Sequence, residues 1–302
     1  MPPKHPVPAE TPPCRRPRRG VDGTAGSRCS VPARVGVYGG GRMGAGIAHA
    51  FAAAGAAVTV VENGEDAAAA ARDRIAASLA RASEKGTAIL GTSLVVTDGS
   101  ALHDCALVVE AVPEVAQLKS EVLARIARIA PSAAMATNTS SLSIDALADA
   151  VPDPSRLIGL HFFNPVPMSD LVEIVVGPRT SARLVEQARA WVAGLGRTAI
   201  TVQDSPGFAS SRLGVALALE AMRMLEEGVA DAADIDTAMT LGYRHPVGPL
   251  RTTDIVGLDV RLAIAEHLER ELGSRFAPPQ VLRDKVAAGD LGRKSGRGFY
   301  EW

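Results

Sequence analysis

Three groups of residues in this 302-residue chain have types and spacings that could do chemistry. The first is Gly39-x-Gly41-x-x-Gly44. Glycines at these intervals permit a tight turn at Gly39, let backbone approach a pyrophosphate at Gly41, and let a helix pack close to a strand at Gly44. The helix that follows would aim free N–H groups at the phosphates. Glu62 lies 23 residues beyond Gly39, where an acid can grip the hydroxyls of an adenosine ribose. Its charge would also repel a 2′-phosphate, so the pattern points to NAD rather than NADP. The second group is His161 with Glu173. His5 falls in the N-terminal head, and His49, His103, His245 and His267 show no evident chemical context. His161 instead follows the apolar run Leu157–Leu160, at a strand end of the kind where α/β sheets present reactive groups. Twelve residues on, Glu173 sits inside Leu171-Val172-Glu173-Ile174-Val175-Val176. A carboxylate in such a strand is costly to bury unless paired. If adjacent strands bring the two together, the carboxylate orients the imidazole and stabilises its protonated form, making a general base for a hydroxyl. The other reading, equally open, is a Glu173 that faces solvent from a one-sided strand. The third group is Asn138-Thr139-Ser140-Ser141, a polar turn after an apolar strand where a ligand could sit. Ser141 or Ser143 could equally cap a short helix near 144–147.

These groups need a scaffold. Ala33–Tyr38, Ala57–Val61, Leu94–Thr97, Ala106–Ala111, Ala133–Thr137, Leu157–Phe162, Leu171–Val176 and Ala199–Val202 read as strands. Helical patterns alternate with them at about 42–54, 65–85, 115–129 and 182–194. Alternation of this kind implies a largely parallel sheet covered by helices on both faces. Beyond Asp204-Ser205-Pro206-Gly207 only helical patterns follow, at about 209–227, 232–241, 254–272 and 279–288. The expected organisation is α/β: a Rossmann-type dinucleotide-binding domain over residues 33–204 and an all-helical C-terminal domain over 205–302. Residues 1–32 form a basic, Pro-rich tail that reads as disordered.

Composition narrows the function. Formal net charge is −1, so a basic field for nucleic acid is not expected. The near-zero sum hides an asymmetry: residues 1–30 carry a net +4 and hold seven of the twenty prolines. The head has no apolar core segment of a secretory signal. The longest uncharged stretch, Met43–Val61, is rich in Ala and Gly and poor in Leu, Ile and Phe, which is unsuited to a membrane span. Three cysteines (Cys14, Cys29 and Cys105), with no CxxC and no metal-ligand spacing, fit a reducing, cytoplasmic setting and no metal centre. No GxSxG elbow is present, which argues against a serine hydrolase.

Together these segments resemble the short-chain L-3-hydroxyacyl-CoA dehydrogenases. The resemblance is carried by GVYGGGRMGAGIAHAFAAAG, VVEAVPE, TNTSSLSI, GLHFFNPVPMSDLVEIV, DSPGFASSRL, GYRHPVGPLRTTDIVGLD and GRKSGRGFYEW, in order from about residue 34 to the C-terminus. It implies NAD-dependent interconversion of an L-3-hydroxyacyl-CoA and a 3-ketoacyl-CoA, and a homodimer formed through the helical domain. It assigns His161 as catalytic base, Glu173 as its partner and Ser140 as the serine that binds the substrate's 3-oxygen. It adds Glu114, Lys119 and Lys294 as cofactor contacts, and Ser78 and Lys85 as CoA contacts. One position departs from the family: Ser211 stands where the pattern PGFxxNR has an asparagine near the substrate thioester. A serine hydroxyl can still donate, directly or through water, but is shorter. Two rival functions share these motifs: a dehydrogenase of a non-CoA hydroxy acid, of the gulonate type, and an NAD-binding structural protein whose site has decayed at Ser211. Acyl-chain length, direction and pathway are not legible in the residues.

Overall fold

The structure, a computed structural model, describes residues 31–302. The head, with Cys14 and Cys29, lies outside the described residues. Eight strands form one sheet: β1 (Arg34–Tyr38), β2 (Ala57–Val61), β3 (Thr92–Val96), β4 (Leu107–Glu110), β5 (Ala134–Thr137), β6 (Leu157–Phe162), β7 (Leu171–Val176) and β8 (Thr198–Gln203). Their spatial order is β3-β2-β1-β4-β5-β6-β7-β8. All neighbours pair in parallel except β6 and β7, which are antiparallel. The chain therefore reverses its winding between β1 and β4. In a doubly wound sheet that crevice, at the carboxyl ends of the strands, is where ligands bind.

The strands between the two edges are buried and mostly apolar because helices cover both faces, while the edge strands β3 and β8 are only partly buried. Helix α1 (Arg42–Ala53) and α2 (Glu65–Glu84) follow β1 and β2, α3 (Ala116–Ile129) follows β4, the short α4 (Ile144–Ala148) follows β5, and α5 (Ala182–Gly194) precedes β8. The Gly/Ala composition of α1 has a steric cause. It is wedged between the sheet and the turn at Val166–Met168, and a Cβ at Gly46 would come within 2.7 Å of Val166 Cβ.

The second domain holds α6 (Ser210–Glu226), α7 (Ala232–Thr237), α8 (Pro249–Val256), α9 (Leu258–Leu272) and α10 (Gln280–Ala287). They close on their own core, which includes Leu219, Met222, Ile235, Leu250, Leu258 and Leu268. The structure corrects two details of the expected helices. The segment 254–272 is two helices rather than one, broken at Gly257, whose φ of +106° suits a residue without Cβ. The α-helix begun at Ala232 stops at Thr237 and passes into one π turn, Ala238–Gly242. Beyond α10, residues 292–302 carry a 3-10 turn at Arg293–Ser295 and two isolated bridges, Gly292 to Arg297 and Arg297 to Glu301. Their purpose is visible in Asp254, a fully buried carboxylate of α8 that accepts from Phe299 N, Tyr300 N and Trp302 Nε1 at 2.8–2.9 Å.

Candidate active site

Residues around the β1–α1 turn fit a dinucleotide. Gly39 has φ +97°, and a Cβ at Gly44 would overlap the Gly39 carbonyl oxygen. A Cβ built at Gly41 meets nothing within 4 Å, so the turn faces open space on that side. No side chain caps the N-terminus of α1, whose first N–H groups stay available for phosphate oxygens. Glu62 reaches back to this turn, its Oε1 accepting from Gly40 N at 2.6 Å. The acid at the end of β2 is thus fixed beside the glycines before any ribose arrives.

Across the crevice, Glu114 organises the polar turn after β5. Its Oε1 accepts from the Thr139 hydroxyl at 2.6 Å and from the backbone N–H groups of Ser140 and Ser141 at 2.8 and 3.0 Å. Ser140 Oγ is 3.3 Å from the same oxygen. Burial alone would raise the Glu114 carboxyl; the Lys119 ammonium and these donors outweigh it and hold it below the usual range. Lys119 itself is buried. Its ammonium donates to both oxygens of Glu110 and to the Val112 carbonyl, and lies 3.4 Å from Glu114. All three donors of the ammonium thus face protein groups, so Lys119 acts on this crevice through the loop it fixes. Ser143, not Ser141, caps α4. Asn138, also in this turn, accepts from Phe162 N and ties the turn to the end of β6.

The antiparallel pairing of β6 and β7 sets His161 directly opposite Glu173. Nδ1 of the imidazole donates to Oε2 at 2.7 Å, and both side chains are buried. Phe163 and Phe208 flank the ring at 4.5 and 5.8 Å between centroids. The start of the helical domain completes the carboxylate's surroundings. Ala209 N and Ser210 N donate to Oε1 at 3.1 and 2.9 Å, and the Ser210 hydroxyl donates to Oε2 at 2.6 Å. The turn that delivers them is strained, because Phe208, a bulky residue, follows Gly207 into positive φ at +50°. Burial by itself would raise the Glu173 carboxyl, but His161 and Ser210 bring it below the ordinary range. The solvent-facing alternative for Glu173 is therefore not what the structure shows. Ser211 is half-buried and makes no side-chain hydrogen bond among the described residues; its neighbour Ser210 holds the contact instead.

Ser78 and Lys85 both line a groove of about 940 Å³ between α1, α2 and the 164–170 turn. Contrary to expectation, His49 has a chemical context there: its Nδ1 lies 2.7 Å from Ser78 Oγ. Burial, with the nearby cations Arg197 and Arg81, pushes His49 down and favours the neutral ring. Arg42, Arg81, Lys85 and Arg197 make the groove cationic, against Asp73 and Asp170. Lys294 lies apart from these groups, in the helical domain, and pairs with Asp259 at 2.5 Å. No signal local in sequence marks His49 or Ser210, whose partners are 29 and 37 residues away. Among the described residues no cluster of metal-ligating side chains occurs, and no helix is long and apolar enough to cross a membrane.

Comparison with known proteins agrees with this arrangement. The family model of the 3-hydroxyacyl-CoA dehydrogenase NAD binding domain matches residues 34–205, and that of the 3-hydroxyacyl-CoA dehydrogenase C-terminal domain matches residues 207–302. A 3-hydroxybutyryl-CoA dehydrogenase of Mycobacterium tuberculosis is 43% identical over 282 residues, covering 89% of this chain and 98% of the relative. Among solved structures, M. tuberculosis FadB2 superposes with a TM-score of 0.85 at 42% identity, covering 90% of this chain and all of that one. An (S)-3-hydroxybutyryl-CoA dehydrogenase of Ralstonia eutropha gives 0.85 at 38% identity, covering 90% and 99%. With its glycine turn, its doubly wound sheet and its helical second domain all matched along the chain, this protein belongs to the 3-hydroxyacyl-CoA dehydrogenase family of NAD-dependent oxidoreductases.

Proposed function

We propose that the protein interconverts an L-3-hydroxyacyl-CoA and the corresponding 3-ketoacyl-CoA, with His161 as general base. The observation that carries this reading is the cross-strand pair of His161 and Glu173. Its Nδ1 is occupied by the carboxylate, so the proton-accepting nitrogen is Nε2, which has no protein partner among the described residues. Nε2 takes the proton of the 3-hydroxyl, and Glu173 stabilises the imidazolium that results. Ser140, held by Glu114, donates to the substrate oxygen. Bound NAD supplies the hydride acceptor for C3. Gly39, Gly41 and Gly44 would cradle its pyrophosphate, Glu62 would take the adenosine ribose, and Glu114 and Lys294 would bound the cofactor from the two domains. Lys119 serves by fixing Glu110 and Glu114. Ser211, the second residue of α6, would stand near the thioester end of the acyl chain.

The cationic groove with Ser78 and Lys85 suits the phosphates of CoA, which distinguishes this substrate from a free hydroxy acid. A decayed site does not suit the intact network around Glu173. The helical domain exposes Leu213, Leu241, Tyr243, Ile255, Val256 and Val260. Apolar exposure on this scale favours a homodimer through that domain, read by light scattering; a monomeric mass would refute it. A buried, unpaired Cys105 fits the cytoplasm. The decisive assay compares NADH oxidation by acetoacetyl-CoA with NAD reduction by free 3-hydroxy acids. Turnover of the CoA ester alone is expected. Turnover of the free acids alone would replace the CoA reading by the gulonate-type one, and NAD binding without any turnover would leave a structural role.

A further inference from the structure

Arg261, in the first turn of α9, is a buried cation without a counter-ion. It is 8% exposed, and among the described residues its side chain makes neither a hydrogen bond nor an ion pair. Its Nε is fully enclosed with no acceptor. Burial lowers the guanidinium's proton affinity, and no carboxylate opposes the effect. The acid nearest in sequence, Asp259, is taken by both contacts of Lys294. Other buried charges are matched: Lys119 by Glu110, Glu173 by His161 and Ser210, Asp254 by the C-terminal N–H groups. Nε is enclosed while Nη1 and Nη2 reach the surface, so an anion arriving there would meet a guanidinium that no carboxylate of the described residues pairs.

Its position relates it to the reaction. The guanidinium lies over Gly214 of α6, where a Cβ would stand 3.6 Å from Nη1 and 4.0 Å from Nη2. Gly214 is four residues beyond Ser210 and three beyond Ser211, so it lies on the same side of the helix as each of them, about 6 Å beyond the first and about 4.5 Å beyond the second. Ser210 is bonded to the carboxylate that holds His161. Arg261 therefore stands about one helical turn from the dyad's support, on the helical-domain side.

We propose that Arg261 is a specificity-determining residue that receives a carboxylate at the far end of the substrate's acyl chain. The favoured substrate is then a 3-hydroxyacyl-CoA whose acyl group ends in a carboxylate a few carbons beyond C3. This rests on the dehydrogenase reading above. The planar guanidinium takes a carboxylate through two parallel N–H···O bonds. A methyl-ended chain leaves it buried and unpaired, so the site discriminates by desolvation as well as by attraction.

The test is kcat/KM with NADH for two six-carbon 3-ketoacyl-CoA esters, one ending in a carboxylate and one in a methyl group. Wild type, Arg261→Met and Arg261→Lys are compared, with light scattering and thermal unfolding alongside. Wild type is expected to favour the carboxylate ester by about tenfold or more. Arg261→Met is expected to lower kcat/KM for that ester about a hundredfold and for the methyl ester less than about threefold, with Arg261→Lys between. Equal losses on both esters, or a wild type indifferent to the terminal group, overturn the proposal. So does conversion of a dimeric wild type to a monomer by Arg261→Met, which would make the counter-ion a carboxylate of a second copy. If Arg261→Met fails to fold, the wild-type preference and the Arg261→Lys values still decide. A wild type that turns over neither ester overturns the dehydrogenase reading and this proposal with it, whereas turnover of the methyl ester alone overturns only the proposal.

Discussion

Glu110 and Glu173 are both fully buried carboxylates in strands of one sheet, and they have opposite characters. Glu110 ends β4 and meets Lys119, whose ammonium donates to both Glu110 oxygens and to the Val112 carbonyl and lies 3.4 Å from Glu114. Thr137 and the Val112 N–H complete the carboxylate. Nothing in that cluster is left to react. Glu173 meets an imidazole, which gives one nitrogen to the pair and keeps another, and its remaining donors come from the second domain. The first arrangement locks a loop; the second keeps a proton-accepting atom available and makes its environment depend on where α6 sits. Burial of a charge is thus no mark of chemistry by itself. The mark is a partner with one valence to spare.

Substitutions can break or sharpen that contrast. His161→Ala should lower kcat about a thousandfold while leaving the thermal midpoint close to wild type; turnover surviving within tenfold would place Glu173 with Glu110 as a structural group. Lys119→Met should do the reverse in kind. It strands Glu110 as an unpaired buried charge, a loss of about 3–5 kcal/mol in urea unfolding, and a loss below about 1 kcal/mol would show that the cluster is not a lock. Ser210→Ala, which removes one donor from Glu173, should lower kcat/KM about tenfold with KM little changed. The acid limb of its pH profile should move to higher pH, because a less solvated carboxylate holds the imidazolium more tightly, and Ser210→Thr should restore it. A purely structural Ser210 would leave the profile in place. The smallest effect is on stability against pH. Glu173 and Glu114 titrate below the ordinary 4.5 in the folded protein, so the unfolded chain binds more protons. Their contribution is complete above about pH 4.5 and is lost as pH falls through the lowered values. Glu173→Gln should flatten the acid slope of the unfolding free energy, and an unchanged slope would contradict the assignment.

Much of the scaffold was legible because it follows from period and punctuation. Valine runs ended by glycine or acid marked β1, β2 and β4, and the glycine spacing marked the turn that Glu62 then joins. What escaped depends on contacts between distant residues. Ser210 matters through Glu173, and His49 matters through Ser78; each pair exists only after the sheet and the two domains have closed. The departure from the family pattern is at Ser211, whereas the serine that touches Glu173 is its neighbour Ser210. Glu110 was legible on the same grounds as Glu173, since it closes an apolar strand, Leu107–Glu110, and has a lysine nine residues on. The break at Gly257 was hidden because glycine inside a helical pattern is often tolerated; here Asp254 anchors the preceding turn to the C-terminal segment and the chain must change direction.

That anchoring bears on how the helical domain comes apart. Asp254 lies at least 45 residues before Phe299, Tyr300 and Trp302, whose N–H groups satisfy it. Peeling that segment away strips a buried carboxylate of three donors at once, so α8 and residues 299–302 should open together rather than in turn. The amides of Phe299 and Tyr300 are then expected to exchange their hydrogens no faster than those of α8, despite lying outside any helix.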